Sequence, residues 1–591
     1  MANCRVCLVS VAGQPKLTPA CREPATEGMV VQTESHAAVE NRRAVLKLLL
    51  ERYPADHLHD GGRAHPRNEF EEYVVRYGVD PSLVAGRDLP LRHGDERPGD
   101  PMIRHDMTTC ILCTRCVRAC EDIQVVGVLD VGMRGEHAEI IVGANGDPDR
   151  AGCTWCGECV RVCPTGAIFE VLPKERFGTA RVEADRVVRS VCPYCGVGCQ
   201  VDLQVKDGTV ARVTSPTFDE VTPNDGSTCV KGRFGYDFIQ HRDRLTRPLI
   251  RKGWVKQGGR WAWTGPATEG RRGGPWQTMT EEGQASKPPS PPRAQGKRSR
   301  DLPLLDRPSV DLRDRAATPA DWYQPFREAT WDEALELVTQ EMARIHGQHG
   351  RDAMAVFQSA KCTNEENYLL QRLFRARFGT NNIDHCTRLC HSTSVSAMQA
   401  ALNTAAASGS MRETEQACDV IFIAGANTTE THPVFGASLK RAHRRGAFLI
   451  VADPRRTELA TQAEIHLQMM PGTDVALFNA MLNHILSLGL ENREFIRART
   501  KNFDAIRAAV APYTLERAEA ITGVPAARIA AAAERYARGP NTSTFWAMGL
   551  TQHLTGHEMV ASLLNLILAC GMIGRWGAAM MPVRGQNNVQ G

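Results

Sequence analysis

Two cysteine runs decide how the N-terminal part of this chain folds: CILCTRCVRAC at residues 110–120 and CTWCGECVRVCP at residues 153–164. Each run has the spacing C-x2-C-x2-C-x3-C; Pro164 follows the second run, whereas Glu121 follows the first. Three thiolates of one run can hold a [4Fe–4S] cube while the fourth ligates a second cube. Structural zinc instead uses four ligands in paired knuckles. The spacing therefore predicts two [4Fe–4S] clusters, with the ligands Cys110, Cys113, Cys116, Cys120, Cys153, Cys156, Cys159 and Cys163.

Further cysteines lie on both sides of these runs. Downstream, VCPYCGVGCQ at residues 191–200 precedes a distant cysteine in STCVKGRFGYDF at residues 227–238. This spacing by itself allows either zinc or a cluster on Cys192, Cys195, Cys199 and Cys229. Upstream, the spacing of three cysteines fits the last three ligands of a plant-type [2Fe–2S] domain, and ordinary buried thiols are the alternative. These three are Cys4, Cys7 and Cys21.

Length and composition limit the class of protein. A chain of 591 residues is too long for one core, and 42% hydrophobic with 23% charged residues is ordinary for folded proteins. A net charge of +4 does not favour a nucleic-acid partner. No apolar run reaches membrane-spanning length, and Met1 to Ser10 has neither an apolar run of signal length nor a twin-arginine start, so we expect no membrane association. Twenty cysteines in such a chain indicate metal ligands in a reducing cytoplasm.

The composition changes after the cysteine blocks. Residues 255–320, which include PPSPPRAQGKRSR, are predicted to be a linker or insertion. The stretch TWDEALELVTQEMARI is predicted to be a helix with Thr330 as its N-cap. The runs DVIFIAGAN (419–427) and AFLIVADP (447–454) are predicted to be strands of a parallel α/β domain. Ligands bind beyond the carboxyl ends of such strands, where the chain has Gly425, Ala426, Asn427, Asp453, Pro454, Arg455 and Arg456.

Two segments carry a family resemblance. The block around Cys192 with VKGR resembles the [4Fe–4S] domain of molybdopterin-guanine-dinucleotide oxidoreductases, which implies a cluster there and places Lys231 between cluster and pterin. GTNNIDHCTRLCHSTS (379–394) is similar to the active-site segment of formate dehydrogenases. That resemblance implies that Cys390 ligates the metal and that His391 is its catalytic neighbour. From periodicity alone Cys386, one helical turn earlier, is an equal candidate.

The same resemblance extends to substrate and cofactor. MPVRGQNNVQG (581–591) is similar to the segment whose arginine binds formate, which implies that Arg584 holds the carboxylate and Gln586 assists. Because histidine ordinarily titrates near neutrality, His391 is expected to orient substrate or move a proton. GANTTETHPVFG and VADPRRTE resemble loops that hold the pterin guanine dinucleotide, which implies the cofactor-binding set Lys231, Gly425, Asn427, Thr428, Glu430, Asp453, Arg455 and Gly549. Cys362, Cys418 and Cys570 are expected in the core.

The order of the segments resembles the alpha subunit of NAD-dependent formate dehydrogenase. In related subunits the stretch YPADHLHDGGRAHPRNEFEEY often carries a His/Cys cluster; here it offers only His57, His59 and His65, so no cluster is expected. Met1 leaves no room for an upstream thiol, and Gly591 falls inside the family's core, so the chain is expected to be truncated at both ends. The expected domains are 1–40, partial [2Fe–2S]; 41–100, remnant module; 101–175, two-cluster ferredoxin; 186–245, [4Fe–4S]; 255–320, linker; and 321–591, catalytic α/β.

The resemblance implies a function and two alternatives. Formate would be oxidised to carbon dioxide at molybdenum or tungsten held by two molybdopterin guanine dinucleotides. Electrons would pass through three [4Fe–4S] clusters, with the [2Fe–2S] ligand set incomplete, to a flavin and iron–sulfur subunit that reduces NAD, in a hetero-oligomer. The alternatives are an electron-transfer subunit like that of respiratory complex I and a noncatalytic iron–sulfur remnant.

Overall fold

The computed structural model describes residues 4–54, 58, 68–81, 102–144, 146–178, 182–216, 220–241, 244–265 and 325–589. The chain forms two compact units. The first unit contains residues 1–239, 357–368 and 384–591, and the second contains residues 240–356 and 369–383. The predicted histidines His57, His59 and His65 lie outside the described residues.

The first unit begins with a small sheet and two helices. Strands β1 (Leu8–Val11), β2 (Thr18–Pro19) and β3 (Val31–Gln32) pair antiparallel in the order β2-β1-β3. Helices α1 (His36–Leu50) and α2 (Glu69–Arg76) are capped by Ser35 and Asn68, whose side chains accept backbone N–H groups of the first turn. The two helices share one apolar core, which contains Leu46, Leu50, Tyr53, Phe70, Val74 and Tyr77.

The two long cysteine runs lie in a module in which the first and last strands pair. Strand β4 pairs with β7, and β5 pairs with β6, both antiparallel. Short helices α3 and α4 each begin inside one cysteine run. The elements are β4 (Ile103–His105), α3 (Arg115–Arg118), β5 (Leu129–Gly132), β6 (Glu139–Val142), α4 (Glu158–Val162), β7 (Ile168–Glu170) and α5 (Val171–Phe177).

A three-stranded antiparallel sheet carries the third cysteine block. Its strands are β8 (Arg186–Val191), β9 (Gln200–Lys206) and β10 (Thr209–Thr214), in the order β10-β9-β8. Cys192, Cys195 and Cys199 lie in the connection between β8 and β9. Cys229 immediately precedes helix α6 (Val230–Phe234).

The second unit corrects the start of the predicted linker. Residues 254–263 form a hairpin in which Trp254 pairs with Trp263 and Gln257 with Arg260. Gly258 and Gly259 make the turn with φ of 56° and 81°, which is the two-residue Gly-Gly turn that favours hairpins. The prediction that the linker begins at residue 255 was wrong, because it used the composition of residues 255–320 as a whole and not the local Gly258-Gly259 turn signal. Residues 266–320 lie outside the described residues.

A helix predicted from its cap is confirmed in the second unit. The Thr330 side chain accepts the Glu333 N–H and the Glu333 carboxylate accepts the Thr330 N–H, which is a capping box. Between residues 249 and 385 the chain passes from the second unit to the first more than once. The elements of this stretch are β11 (Leu249–Arg251), β12 (Trp254–Gln257), β13 (Arg260–Trp263), β14 (Phe326–Glu328), α7 (Trp331–His349), β15 (Val356–Gln358), α8 (Asn364–Arg372) and β16 (Ile383–His385).

The C-terminal part of the first unit is a parallel α/β domain, as predicted. Its five strands, all parallel, have the order β19-β18-β17-β20-β21. The strands are β17 (Val420–Ala424), β18 (Phe448–Ala452), β19 (Ile465–Leu467), β20 (Thr542–Trp546) and β21 (Met580–Pro582). The helices are α9 (Thr387–Cys390), α10 (Ser392–Leu402), α11 (Met411–Ala417), α12 (Thr428–Thr431), α13 (Pro433–Arg444), α14 (Glu458–Gln462), α15 (Asp474–Ser487), α16 (Arg493–Arg499), α17 (Phe503–Val510), α18 (Leu515–Thr522), α19 (Ala526–Arg538), α20 (Met548–Thr551) and α21 (Gly556–Ala569).

Both faces of this sheet are covered. Along the central strand β17, Phe422 belongs to a core that includes residues of α15, α19 and α21, whereas Ile421 and Ile423 belong to a second core with α13. Alternate side chains of a strand point to opposite faces, so the continuous apolar run is what a doubly covered strand requires. No helix in the described ranges is both long and apolar enough to cross a membrane.

Candidate functional site

The thiols of the two long cysteine runs form two sets of four. One small cavity is lined by Cys110, Cys113, Cys116 and Cys163. A second cavity is lined by Cys120, Cys153, Cys156 and Cys159. The fourth cysteine of each run therefore lies with the first three of the other, which is the crossed grouping that the spacing predicts. Ligation of iron by these sets stays a prediction.

The backbone of each run is shaped around its sulfurs. Leu112 and Trp155, two residues after the first cysteine of each run, have φ of 52° and 53°. Their N–H groups lie 3.4 Å from the sulfurs of Cys110 and Cys153. Such φ values are uncommon for residues other than glycine and persist where the surroundings require them. The matched geometry directs amide groups at the sulfurs in both runs.

Burial and neighbouring negative groups oppose the charged form of these thiols. Burial and the neighbouring Cys163 and Cys110 raise the pKa of Cys113 to about 12. Burial and the Glu158 carboxylate raise the pKa of Cys156 to about 12. Four thiolates in one buried volume repel each other, and iron ions offset that repulsion. Among the described residues, no three His, Cys, Asp or Glu side chains are placed to hold one metal ion.

The third thiol set lies beside the predicted bridging lysine. Cys192, Cys195, Cys199 and Cys229 line one small cavity. Lys231 Nζ donates to the carbonyl oxygen of Glu430 at 3.2 Å. Burial raises the pKa of Cys195, and the positive charge of Lys231 opposes that shift. Lys231 thus lies between the third thiol set and the loop that follows strand β17.

Cys4 and Cys21 lie close enough to Cys7 to affect its pKa. Burial is the largest cause of the raised pKa of Cys7, and the Cys21 thiol and Cys4 contribute to it. Cys21 itself is exposed. This proximity is compatible with a [2Fe–2S] site, whose assembly stays a prediction.

A cavity of about 360 Å³ lies at the carboxyl edge of the parallel sheet. Predicted cofactor residues line it, namely Gly425, Asn427, Asp453, Arg455 and Gly549, together with Ala426 and Pro454. Thr428, Glu430 and Arg456 do not belong to its lining. The buried Thr428 hydroxyl has no hydrogen-bond partner among the described residues, and Glu430 contributes its carbonyl to Lys231.

Two glycines let the loops after β17 and β20 meet at this edge. The Gly549 N–H donates to the Gly425 carbonyl oxygen at 3.0 Å. A Cβ added at Gly549 would lie 2.6 Å from that oxygen, and one added at Gly425 would lie 2.8 Å from the Gly549 carbonyl carbon. Gly425 also has a φ of +56°. Glycine at both positions therefore permits this close approach of the two loops.

Cys390 lies at the end of helix α9, and only 7% of its surface is exposed. A Cβ added at Gly585 would lie 3.6 Å from the Cys390 sulfur, so the two residues are in contact. Burial raises the pKa of this thiol, while the Gly585 backbone and the Arg584 guanidinium lower it. Both opposing groups favour a thiolate, which is the form that binds a metal.

The pKa of His391 differs from the value near neutrality that the sequence predicted. Its Nδ1 lies 3.0 Å from the Ser394 hydroxyl, which also accepts the Trp546 indole N–H at 2.8 Å. Burial and then the Arg584 charge lower the pKa of His391 to about 3. The expected titration near neutrality is therefore wrong, because the buried ring has a guanidinium as neighbour. His391 is neutral at physiological pH, with the Ser394 hydroxyl placed to donate to Nδ1 and the ring proton on Nε2.

Arg584 has one occupied and one free nitrogen. Its Nη2 donates to the Ala405 carbonyl oxygen at 2.7 Å, while the buried Nη1 has no partner among the described residues. Burial lowers the pKa of Arg584, and the nearby Cys390 opposes the shift. Arg584 lines a cavity of about 820 Å³ together with Gln586. A buried donor without a partner is costly, and an anion would satisfy it.

Cys386 and Cys390 have different surroundings. The exposed Cys386 thiol donates to the Gln586 side-chain oxygen at 3.1 Å and accepts the Ala360 N–H at 3.1 Å. Cys390 is buried against Gly585 instead. Cys386 thus contacts Gln586, which lines the 820 Å³ cavity, and which of the two thiols ligates a metal stays a prediction.

Two site residues escaped the sequence prediction. His432 is 2% exposed, lines both cavities and donates through Nε2 to the Arg584 carbonyl oxygen at 2.5 Å. Asp474, at the first position of α15, lines the sheet-edge cavity, and burial raises its pKa to about 6. The signals available were the His-Pro pair after the β17 loop and the PGTD turn before α15.

The three remaining cysteines were expected in the core. Cys418 and Cys570 are buried, with 0% and 4% exposure, which confirms the expectation for these two. Cys362 is partly exposed, and its carbonyl oxygen accepts the Asn588 side-chain amide. It lies in the turn before α8 and not in a core, so the expectation was wrong there.

Four protein-family descriptions match successive parts of the chain. Residues 244–589 match the family described as molybdopterin oxidoreductase, and residues 185–241 match the molybdopterin oxidoreductase Fe4S4 domain. Residues 100–169 match the ferredoxin-like domain of NADH-quinone oxidoreductase subunit 3, and residues 1–36 match the 2Fe-2S iron-sulfur cluster binding domain. These matches confirm the predicted fold class of iron–sulfur modules followed by a molybdopterin oxidoreductase core.

Individual relatives are longer than this chain. "Probable oxidoreductase YjgC" of Bacillus subtilis (strain 168) is 30% identical over 628 residues, covering 100% of this chain and 55% of that protein. "F420-dependent formate dehydrogenase subunit alpha" of Methanocaldococcus jannaschii is 36% identical over 406 residues, covering 69% of this chain and 49% of that protein. The chain spans about half the length of these curated relatives.

Among solved structures, acetylene hydratase from Pelobacter acetylenicus is similar over 66% of this chain and 44% of that chain, with a TM-score of 0.48 and 23% identity. The family match to residues 244–589 covers more than half of the chain and contains both the sheet-edge cavity and the Cys390 region. The chain therefore belongs to the molybdopterin oxidoreductase family.

Proposed function

We propose that this chain is the cluster-bearing and cofactor-binding part of a formate dehydrogenase that oxidises formate to carbon dioxide. The observation that carries the proposal is the group formed by buried Cys390, Gly585 and Arg584, with a free guanidinium nitrogen beside a thiol. Relatives named formate dehydrogenase support it. A molybdenum or tungsten centre held by two pterin guanine dinucleotides would supply a two-electron acceptor here.

The residues around Cys390 and Arg584 have separate roles in the proposed reaction. Cys390 provides a soft thiolate ligand, and Arg584 holds the formate carboxylate through Nη1 and the remaining N–H of Nη2. The neutral His391 orients the substrate by hydrogen bonding and does not act as an imidazolium acid. Gln586 adds a side-chain amide to the same cavity. Fixing both ends of a small anion next to the acceptor lowers the entropic barrier to reaction.

The sheet-edge cavity fits one guanine dinucleotide end of the cofactor. Gly425, Asn427 and Gly549 line this cavity, so their backbone groups and the Asn427 amide can bind phosphate oxygens. The carboxylates of Asp453 and Asp474 can accept the N–H groups of guanine, which presents adjacent donors. Lys231 would connect the cofactor side to the third cluster.

Electrons would leave through the clusters in the order third set, then the two crossed sets. The proposed acceptor is a flavin and iron–sulfur partner subunit that reduces NAD in a cytoplasmic hetero-oligomer, as the resemblance of the whole chain implies. The relative from Methanocaldococcus jannaschii is named as F420-dependent. Assay of the purified complex with NAD and with F420 as alternative electron acceptors distinguishes an NAD-linked enzyme from an F420-linked one.

A second candidate is an electron-transfer subunit without metal chemistry at Cys390. The match of residues 100–169 to a domain of NADH-quinone oxidoreductase favours it. The Cys390 and Arg584 group argues against it, because an electron conduit has no need of a buried thiol beside an unpaired guanidinium nitrogen.

Metal analysis of the purified holoprotein, combined with formate-driven reduction of its clusters, separates the candidates. The proposal predicts iron together with about one molybdenum or tungsten per chain and reduction of the clusters by formate alone. Iron without molybdenum or tungsten, and clusters that only dithionite reduces, would establish the second candidate.

A further inference from the structure

A fully buried arginine joins two of the thiol sets. Arg233, in helix α6, is 0% exposed. Its Nε donates to the Cys156 carbonyl oxygen at 3.3 Å and to the Thr228 hydroxyl at 3.1 Å. Cys156 belongs to the second crossed set, and Thr228 immediately precedes Cys229 of the third set. One guanidinium therefore contacts Cys156 of the second crossed set and Thr228, which lines the cavity of the third set.

The chain is shaped to let this side chain approach. A Cβ added at Gly157 would lie 2.1 Å from Arg233 Cδ and 2.5 Å from its Nε. Gly157 follows Cys156 directly, at a φ of +76°. At the same place in the first run, Thr114 has a φ of +60°, so a side chain is compatible with this backbone. Close approach of Arg233, more than backbone conformation, accounts for glycine at position 157.

The charge around Arg233 is not balanced by its salt bridges. Its Nη1 donates to Glu170 at 3.2 Å, and Glu170 also accepts Arg212 Nε at 2.9 Å. Two arginines and one carboxylate leave a net charge of +1. The Arg233 Nη2 is buried without a hydrogen-bond partner in the described part of the chain. Glu158, which is also buried, is paired with Arg161. An excess buried cation is costly unless a negative group lies nearby.

We propose that Arg233 is a bridging cation that raises the reduction potentials of the second crossed cluster and the third cluster and keeps the two matched. This inference rests on the proposed placement of the clusters on these thiol sets. A cluster bound by four thiolates is anionic and gains negative charge on reduction. A fixed positive charge beside it stabilises the reduced form, and the low local dielectric strengthens the effect. Because Arg233 contacts Cys156 on one side and Thr228, next to Cys229, on the other, its charge acts on both potentials.

The test is a potentiometric titration of the holoprotein with dithionite, followed by electron paramagnetic resonance. Cluster signals are assigned with Cys156→Ser and Cys229→Ser variants. Arg233→Met should change the ratio of reduced to oxidised second and third clusters at fixed potential by tenfold or more, about 59 mV for a one-electron couple, toward more negative potentials. Arg233→Lys should keep wild-type potentials, and Glu170→Gln should shift them in the positive direction.

Arg189, an exposed arginine paired with Asp202 and Glu220, provides the control Arg189→Met, which should shift neither potential. Unchanged potentials in Arg233→Met with full iron content would overturn the inference. If Arg233→Met loses iron, Glu170→Gln decides, and an absent or negative shift there would overturn it. The titration uses no formate, so failure of the proposed reaction and failure of this inference are distinguishable.

Discussion

Replacement of Arg584 in the holoenzyme tests how substrate is held. The Ala405 carbonyl occupies one N–H of Nη2, so Arg584 can offer formate Nη1 and the other Nη2 hydrogen without losing its own anchor. A hydrogen bond to a charged group contributes about 1.5–3 kcal/mol. At about 1.4 kcal/mol per factor of ten, losing one such bond raises the formate KM roughly 10- to 100-fold.

Lysine is the informative substitution because it keeps the charge. A single ammonium cannot present the planar pair of donors to a carboxylate while also reaching Ala405. We therefore expect Arg584→Lys to raise KM about tenfold and Arg584→Ala about a hundredfold, with smaller changes in kcat, since the contact exists before the transition state. Steady-state kinetics with formate measure both constants.

A matched control lies in the same cavity. Arg412 lines the 820 Å³ cavity but is paired with Asp225, so Arg412→Lys should leave the formate KM near the wild-type value. If Arg584→Lys and Arg584→Ala keep the wild-type KM while Arg412→Lys raises it, formate binds elsewhere in the cavity and the assignment of Arg584 is wrong.

Three further outcomes are expected. Iron analysis should find about twelve irons per chain in the three [4Fe–4S] clusters, and a value near four, or zinc in place of iron, would contradict the ligand sets. Lys231→Ala should slow formate-dependent acceptor reduction while iron content stays unchanged, whereas Lys206→Ala, an exposed lysine paired with Asp185, should have no effect; equal turnover in both variants would remove Lys231 from the electron route. Asp474 has a folded-state pKa of about 6, raised by burial, so its carboxylate reduces stability as pH rises from 4 through 6. Asp474→Asn should therefore increase the free energy of unfolding by at most about 3 kcal/mol at pH 7 and by nothing near pH 4, as denaturant titrations at the two pH values would show; a gain at pH 4 as large as that at pH 7 would contradict the burial argument.

Features encoded in short stretches of sequence could be predicted. The apolar runs before Gly425 and Asp453 form neighbouring parallel strands, and their continuous apolar character is what strands buried on both faces require. The capping box of Thr330 and Glu333 fixed the start of α7. The x3 spacing before Cys120 and Cys163 placed each of them with the opposite run. In each case the deciding contacts are local or follow from a strict spacing.

Features that depend on tertiary burial could not be predicted. The lowered pKa of His391 requires both its burial and the approach of Arg584, which lies far away in sequence. Arg233 looks like an ordinary surface residue in VKGR, and only the packing against Gly157 shows otherwise. His432 likewise gains its place from a contact with the Arg584 carbonyl. Sequence spacing does not predict such tertiary contacts between residues that are far apart in the chain.

Formate-driven reduction of the clusters in Cys390→Ala and Cys386→Ala holoproteins tests the central claim most directly. Absorbance and electron paramagnetic resonance report cluster reduction, and dithionite reduction of the same samples shows that the clusters are assembled. We predict that Cys390→Ala gives no reduction by formate with normal iron content, whereas Cys386→Ala, which loses the contacts with Gln586 and the Ala360 N–H, stays active. Cluster reduction at the wild-type rate in Cys390→Ala would contradict the assignment of Cys390 as the metal ligand.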